Sequence, residues 1–131
     1  MAGAQTAFQM QTLLKVRNPF DTEELTALYC RLSQDDALEG ESNSIQHQRQ
    51  MLERYARERG YTNIRFYIDD GVSGTTFQRP GFQQMISDIQ SGQVRRVIVK
   101  DMSRFGRDYL QVGMYTEVLF PENDIHFIAV N

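Results

Sequence analysis

Apolar runs typical of strands alternate with helical patterns from residue 25 to the end of the chain, and this alternation limits the folds available to it. The strand-like runs cover residues 25–30, 64–68, 94–99 and 125–130. Helical patterns lie between successive runs. The order β-α-β-α-β-α-β predicts an α/β fold, with a mostly parallel sheet of four to five strands and helices on both faces.

Start and stop signals bound the three helical patterns. Start signals stand at Ser44, Pro80 and Asp108, and stop signals follow at Gly60, Gly92 and Pro121. The first helix should reach about residue 59, and the third should cover residues 109–119. Residues 69–79 show no periodicity and include Gly71 and Gly74, which predicts a mobile loop.

The bulk properties exclude several classes of protein. A length of 131 residues suits one domain, which we place at residues 25–131 after a partly disordered N-terminal extension over residues 1–24. Because the sequence has no membrane-spanning window, no signal peptide and only one cysteine, we expect a cytoplasmic protein without a membrane partner. A net charge of −3 argues against tight nonspecific binding of nucleic acid by this segment alone.

Polar residues follow three of the predicted strands at the point where each strand ends. Arg31 and Ser33 follow the first strand, Asp69 and Asp70 the second, and residues 100–104 the third. Sites in parallel α/β sheets form beyond the carboxyl ends of the strands. We therefore expect the three polar clusters to meet along one edge of the sheet.

Ser33 and Cys30 are rival nucleophiles at the end of the first strand. Arg31 lies two residues before Ser33 and on the same side of an extended chain, which would place a cation beside the hydroxyl. This pair suits attack on an anionic ester, because the cation lowers the pKa of the hydroxyl and neutralises charge on the phosphate. Cys30 has the opposite parity, and Asp36 stands where a phosphate-loop cysteine would need an arginine. We expect Cys30 to be a small core residue.

Three further arginines can join this edge of the sheet. Arg104 and Arg107 flank a glycine at a strand-to-helix turn, beside the positive end of the third helix. With Arg31 and Arg79 they would form a cluster of four guanidiniums. Such a cluster fits a phosphodiester, whose transition state spreads negative charge over its oxygens.

Gln48 is a polar residue on the apolar stripe of the first helix, between Ile45 and Leu52. A glutamine buried at this position needs a hydrogen-bond partner. The sequence leaves two partners open, a nearby backbone group or the polar edge near Ser33.

Acidic residues at the same edge offer a different mechanism. Asp69, Asp70 and Asp101, with Asp35 and Asp36 nearby, suit Mg²⁺ in a metal-dependent phosphotransfer or receiver-like domain. The surplus of arginines makes a metal less necessary there. Two histidines and one cysteine leave no zinc cluster, and the sequence shows no Ser–His–acid triad.

The chain resembles a known family at four ordered segments: YCRLS (29–33), SIQHQ (44–48), DDGVSGTTFQRPGF (69–82) and VIVKDMSRFGRDY (97–109). These segments are similar to the N-terminal catalytic domain of serine recombinases, the resolvase/invertase family of site-specific DNA recombinases. The similarity covers about residues 25–131. The long first loop and the segment KDMSRFGRDYLQVG are most similar to those of the large serine recombinases of mobile elements.

The resemblance implies a resolvase-like fold and a role for each matching residue. Ser33 would be the nucleophile that attacks DNA and forms a 5′-phosphoserine link, and Arg31 would be the arginine two residues before it. The other matches are a supporting glutamine, the acid that opens the mobile loop, the arginine that closes it, and an arginine pair: Gln48, Asp70, Arg79, Arg104 and Arg107. Such enzymes need no metal and no cofactor, because the phosphoserine conserves the bond energy for religation.

The sequence departs from the family pattern at two points. Ser103 stands where many smaller members carry aspartate, so we expect a milder role, in hydrogen bonding to Arg104 or to substrate. The family continues past the last strand into a long dimerisation helix and DNA-binding domains, whereas this sequence stops at Asn131.

We therefore expect a fragment that is inactive alone. The whole protein would bind DNA mainly through the missing domains and would assemble into a dimer and a synaptic tetramer. A regulatory or dimerising module without catalysis is a third interpretation, and the intact set of serine and arginines disfavours it.

Overall fold

A computed structural model describes residues 24–33 and 44–131. Its sheet has four strands, β1 (Leu25–Leu32), β2 (Ile64–Asp70), β3 (Val94–Val99) and β4 (His126–Ala129). All pairings are parallel, and the strand order is β2-β1-β3-β4. The predicted parallel α/β fold is confirmed. The expected disorder of the N-terminal extension, and the acidic pair Asp35 and Asp36, lie outside the described residues.

Helices connect the strands as the sequence patterns predict. They are α1 (Ile45–Glu58), α2 (Pro80–Gln90), α3 (Met102–Phe105), α4 (Tyr109–Gly113) and α5 (Phe120–Glu122), with a π-helical stretch, Met114–Leu119, between the last two. The Ser44 hydroxyl caps α1 by accepting a hydrogen bond from the His47 amide at 3.0 Å. Gly60 and Gly92 follow α1 and α2 with φ of 80° and 84°, a conformation that favours glycine at helix ends.

The strand β2 extends to Asp70, two residues into the predicted loop, and part of the third predicted helix is π-helical. Two further differences concern Pro121 and α3. Pro121 does not close the last helix, because helical structure continues to Glu122. A proline is tolerated in the first turn of a helix, where its missing N–H would lack an intrahelical partner anyway, and Pro121 lies in the first turn of α5. The four-residue helix α3 was not predicted, because one turn is too short to show an apolar period.

The core lies on both faces of the sheet. Along β1, Leu28 and Cys30 point to one face and pack with α1, whereas Ala27 and Tyr29 point to the other. That second face carries α2, α3 and the helical segment over residues 109–122. Aromatic rings fill this layer at centroid separations of 4.9 to 6.5 Å, from Phe77, Phe82, Phe105, Tyr115, Phe120 and Phe127.

The strand order places a crevice at the carboxyl ends of β1 and β3. The chain leaves β1 for β2 on one side and then crosses back to β3 on the other side of β1. Ligands of open α/β sheets bind at such a reversal of strand order. Among the described residues, no helix has the length and apolar character needed to cross a membrane.

Candidate active site

Ser33 is the first residue after β1 and lies at this crevice. It stands two residues after Arg31 and has the same sequence parity as Tyr29 and Arg31, whose side chains share a face of β1. Ser33 is buried, with 8% of its surface exposed. The loop that follows β2 begins against the same strand end, since the Gly71 and Val72 amides donate to the Leu32 carbonyl.

Arg31 is fully buried and joins three parts of the crevice. Its Nη1 donates to the Val72 carbonyl at 2.9 Å, in the loop after β2. Its Nη2 donates to the Ser103 carbonyl at 2.6 Å, and its Nε donates to the Arg104 carbonyl at 3.2 Å. A buried cation is tolerated only when its donors are satisfied, so these carbonyls fix the guanidinium two residues from Ser33.

Gln48 clamps the same strand from the opposite face. Its Oε1 accepts a hydrogen bond from the Arg31 amide at 3.1 Å, and its Nε2 donates to the Arg31 carbonyl at 2.9 Å. The contact with a nearby backbone, one of the two alternatives, is therefore present. The backbone concerned belongs to a residue of the polar edge, so α1 holds the strand end that presents Ser33.

Arg79 points into the aromatic layer beneath the loop. Its Cζ lies 4.4 Å from the Phe77 ring centroid, and its Nη1 donates to the Tyr29 hydroxyl at 3.2 Å. Its remaining hydrogen bonds go to the carbonyls of Gly74, Thr76 and Phe105. Arg79 thus fastens the loop to α3 and to β1, and its donors are directed at the protein.

Gly74 is the point at which three of the predicted arginines converge. Its carbonyl accepts from the Arg107 amide at 2.8 Å and from Arg79 Nη2 at 3.2 Å. A Cβ at this position would lie 2.8 Å from Arg31 Nη2 and 3.1 Å from Arg107 Cδ. Only glycine allows this close approach, so the predicted loop glycine has a steric role. Arg107 itself is exposed.

Asp69 and Asp70 have different environments at the end of β2. The Asp69 carboxylate is buried and caps α2 by accepting from the Gly81 and Phe82 amides at 2.8 and 2.9 Å. It also accepts from the Tyr29 hydroxyl at 2.8 Å. Asp70, the acid expected to open the loop, is the last residue of β2 and is exposed.

Tyr29 was missed as a site residue by the sequence analysis. Its hydroxyl donates to Asp69 and accepts from Arg79, so it links the cap of α2 to the arginine under the loop. Two signals pointed to it: Tyr29 shares the parity of Arg31, and a buried tyrosine hydroxyl usually finds a polar partner.

Asp101, Ser103 and Arg104 form a hydrogen-bonded chain at the start of α3. Asp101 Oδ1 accepts from Ser103 Oγ at 2.7 Å and from the Arg104 amide at 3.0 Å. Arg104 Nη2 donates to Ser103 Oγ at 3.2 Å, which confirms the expected contact between these two residues. Arg104 is 2% exposed, and its Nε lies 3.9 Å from Asp101 Oδ1.

The Asp101 carboxyl is held ionised by this arrangement. Burial raises its pKa, but the hydrogen bonds from Ser103 and the Arg104 amide, with the charges of Arg104 and Lys100, outweigh burial. The pKa of Asp101 is therefore below its ordinary value.

The family "Resolvase, N terminal domain" matches residues 26–131, which is most of the chain. The chain belongs to this resolvase family. The N-terminal catalytic domain of TP901-1 integrase has 31% sequence identity to it and a TM-score of 0.75, with 82% of this chain and 79% of that one covered. The fold is thus that of serine recombinase catalytic domains.

Two further proteins are similar to this chain. The C-terminal catalytic domain of ISC1926 TnpA, an IS607-like serine recombinase, shares the fold with a TM-score of 0.68 and 24% identity, covering 82% of this chain and 67% of that one. Uncharacterized immunity region protein 3 of Bacillus phage phi105 is 31% identical over 72 residues, which is 55% of this chain and 87% of the phage protein.

Within this resolvase-family domain, Cys30 is a core residue, as expected. It is fully buried, and burial raises the pKa of its thiol to about 12, although the charge of Arg49 opposes the shift. A thiol with this pKa is protonated at neutral pH and is a poor nucleophile.

Two of the three acidic residues considered as metal ligands in this resolvase-family domain are engaged in local structure, whereas Asp70 is exposed. Asp69 and Asp101 cap α2 and α3, respectively. Over residues 24–33 and 44–131, no group of three or more histidine, cysteine or acidic side chains is placed to hold a metal ion.

Proposed function

We propose that this domain is the catalytic core of a serine recombinase that integrates or excises a mobile element. Membership of the resolvase family already indicates site-specific recombination in general. The observation that carries the finer proposal is the position of Ser33, two residues after a buried arginine and at the crevice where α3 and the loop after β2 meet. A hydroxyl two residues from a buried, fixed guanidinium suits attack on a phosphodiester.

In the proposed reaction, the Ser33 oxygen attacks a DNA phosphorus atom. A bond forms between Oγ and phosphorus, the bond from phosphorus to the 3′ oxygen breaks, and the proton lost by the hydroxyl is balanced by the one that the 3′ oxygen gains. The product is a 5′-phosphoserine link and a free 3′ hydroxyl. After strand exchange, a 3′ hydroxyl attacks the phosphoserine and religates the DNA, so no cofactor and no external energy source is needed.

The arginines divide between charge stabilisation and positioning in this proposal. Arg104 and Arg107 follow β3 at the crevice and would neutralise charge on the reacting phosphate. Arg31 and Arg79 donate hydrogen bonds to backbone carbonyls in the conformation described. They would therefore act through their charge and by holding the loop. Gln48 would keep the strand end fixed, and Asp70 would act at the mouth of the loop.

The proposed partners are DNA and further copies of the protein. The net charge of −3 over the whole sequence argues against tight nonspecific DNA binding by this segment alone, so we propose that DNA is held mainly by other domains of the whole protein. Large apolar side chains are exposed along the segment that follows Asp108: Tyr109, Leu110, Met114 and Val118. An exposed apolar strip of this kind supports self-association, into the dimer and synaptic tetramer that strand exchange needs. We place this activity in the cytoplasm.

The metal-dependent alternative receives less support. It requires Asp69, Asp70 and Asp101 to present free oxygens to one ion. Both oxygens of Asp69 accept hydrogen bonds from backbone amides, and Asp101 Oδ1 accepts two hydrogen bonds at the start of α3.

The test is a suicide-substrate assay with the full-length protein, in which nicked DNA traps the covalent intermediate. We expect a protein–DNA adduct to form in EDTA, to disappear in Ser33→Ala and to persist in Cys30→Ala, the control for the rival nucleophile. DNA cleavage that requires a divalent cation and survives Ser33→Ala would contradict the proposal and favour the metal-dependent alternative.

A further inference from the structure

The hydrogen bonds that link Asp101, Ser103 and Arg104 suggest a role for the Asp101 carboxylate, which the proposed reaction does not yet use. We propose that Asp101 is a positioning residue for Arg104 and acts on its guanidinium through the Ser103 hydroxyl. The inference rests on the proposed function, in which Arg104 neutralises charge on the reacting phosphate.

The direction of the hydrogen bonds follows from the donors available. A hydroxyl has one proton, and the carboxylate of Asp101, 2.7 Å away, can only accept it. Ser103 Oγ therefore turns a lone pair toward Arg104 Nη2, which donates to it at 3.2 Å. The carboxylate orients the hydroxyl, and the hydroxyl orients the guanidinium.

The same oxygen also fixes the backbone of Arg104. Asp101 Oδ1 accepts from the Arg104 amide at 3.0 Å and lies 3.9 Å from Arg104 Nε. One carboxylate oxygen thus restrains both ends of a residue that is almost completely buried. The negative charge of Asp101 further offsets the cost of burying the guanidinium.

The hydrogen-bonded residues Asp101, Ser103 and Arg104 are also linked to the strand end that carries Ser33, through Arg31. Arg31 Nη2 and Nε donate to the carbonyls of Ser103 and Arg104, the two residues that Asp101 holds. A shift of the first turn of α3 would therefore move the cation that stands two residues before Ser33. Asp101 would thus fix the positions of two arginines, Arg31 and Arg104, without contacting DNA or the reacting atoms.

A purely structural role for Asp101, as the cap of α3, makes different predictions. Asparagine is as good an N-cap as aspartate, so Asp101→Asn keeps the cap and removes the charge. Ser103→Ala keeps the cap and the carboxylate but removes the hydroxyl between them. If Asp101 only caps α3, both variants should react like the wild type.

The experiment measures the single-turnover rate of adduct formation by the full-length protein at saturating nicked DNA. We expect Asp101→Asn and Ser103→Ala to slow the reaction by about 10- to 100-fold, the loss typical of a charge-assisted hydrogen bond. The thermal midpoints should change little. The double variant D101N/S103D returns a carboxylate next to Arg104, and we expect it to recover most of the lost rate.

Asp108 offers a matched control. Its carboxylate caps α4 by accepting from the Leu110 and Gln111 amides, both at 3.1 Å, so Asp108→Asn should leave the rate unchanged. A wild-type rate in Ser103→Ala would overturn the inference. If Asp101→Asn does not fold, Ser103→Ala alone tests the inference. A slow double variant would also overturn it. Failure of the proposed function itself is a separate outcome, because the wild type would then form no adduct through Ser33.

Discussion

The buried arginines of the crevice show how single residues carry the site. Arg31, Arg79 and Arg104 are each at most 2% exposed, and a buried guanidinium is costly unless its donors are satisfied. Backbone carbonyls accept from Arg31 and Arg79, whereas Arg104 donates from Nη2 to the Ser103 hydroxyl, and its buried Nε and Nη1 have no hydrogen-bond partner among the described residues. The Arg31 and Arg79 guanidiniums are thereby held in fixed positions, and in the proposed reaction such preorganised charge would stabilise the phosphate as it reacts.

Two glycines provide a prediction about packing at the residue scale. A Cβ at Gly106 would lie 3.0 Å from Cε2 of Phe77 and closer still to Cζ, and this ring is enclosed by other aromatic rings. We expect Gly106→Ala to lower the free energy of unfolding by about 1–3 kcal/mol, the usual cost of overpacking a core. Urea denaturation would measure the change.

Gly113 is the matched control for this substitution. It has helical φ and ψ of −61° and −40°, and a Cβ there would meet its nearest neighbour, Glu117 Oε2, at 4.0 Å. Gly113→Ala should raise the free energy of unfolding by about 0.5–1 kcal/mol, because alanine loses less backbone entropy in a helix. Destabilisation of both variants to the same extent would show that the space around the glycine does not decide the result.

The residues of the site were predictable from the sequence to the extent that local geometry defines them. The parity of an extended chain places Arg31 beside Ser33 and turns Cys30 away, and both expectations follow from β1 alone. The partners of Arg79 were not predictable, because they depend on where the loop after β2 folds in three dimensions. The role of the Tyr29 hydroxyl was not predictable for the same reason, because its partner Asp69 lies 40 positions later in the sequence.

At the scale of elements, capping residues tie the crevice together. Asp69 belongs to β2 but caps α2, and Asp101 follows β3 and caps α3. Start and stop signals and a clear apolar period made α1 and α2 predictable. The single turn of α3 was not predictable, because one turn shows no apolar period. The third predicted helix covered Met114–Leu119, but its π-helical form was not predicted.

Tyr29→Phe tests the link between β1, β2 and α2. Removing the hydroxyl leaves Asp69 Oδ2 and Arg79 Nη1 each without one buried hydrogen bond, and we expect a loss of about 1–3 kcal/mol in the free energy of unfolding. Because Arg79 holds the loop at Gly74, we also expect slower adduct formation in the full-length protein. Urea denaturation and the suicide-substrate assay would measure the two effects.

Tyr67 gives this prediction an internal control. Its hydroxyl donates to the buried Asp88 at 2.6 Å, a comparable pair on β2 and α2 that contacts neither Ser33 nor the loop arginines. Tyr67→Phe should also destabilise the domain but leave adduct formation unchanged. If the two variants lose activity in proportion to stability, Tyr29 has no special role at the site.

At the scale of the whole molecule, the fold class was predictable and the strand order was not. Alternating strand and helix patterns indicate a parallel sheet wherever they occur. The position of β1 between β2 and β3 depends on the paths of two crossover connections, which local patterns do not encode. It is this position that creates the crevice, so the sequence alone could indicate which strand ends are polar but could not establish how they meet.

The domain as a whole should be sensitive to alkaline pH. Burial raises the pKa of Cys30 from 9.0 to about 12 and that of Tyr67 from 10.0 to about 12. The folded domain therefore holds these protons at pH values where the unfolded chain has released them. Their contribution to stability is complete below about pH 9 and is lost as the pH rises toward 12.

The Cys30 thiol should dominate the first part of this loss, because between pH 9 and 10 the unfolded cysteine ionises before the unfolded tyrosines do. Each such group lowers the free energy of unfolding by up to about 1.4 kcal/mol per pH unit. Urea denaturation at successive pH values should thus give a shallower decline for Cys30→Ala than for the wild type from pH 9 upward. Tyr67→Phe should follow the wild type to about pH 10 and become shallower only above it. Parallel curves for Cys30→Ala and the wild type would mean that the thiol ionises as readily in the folded domain as in the unfolded chain.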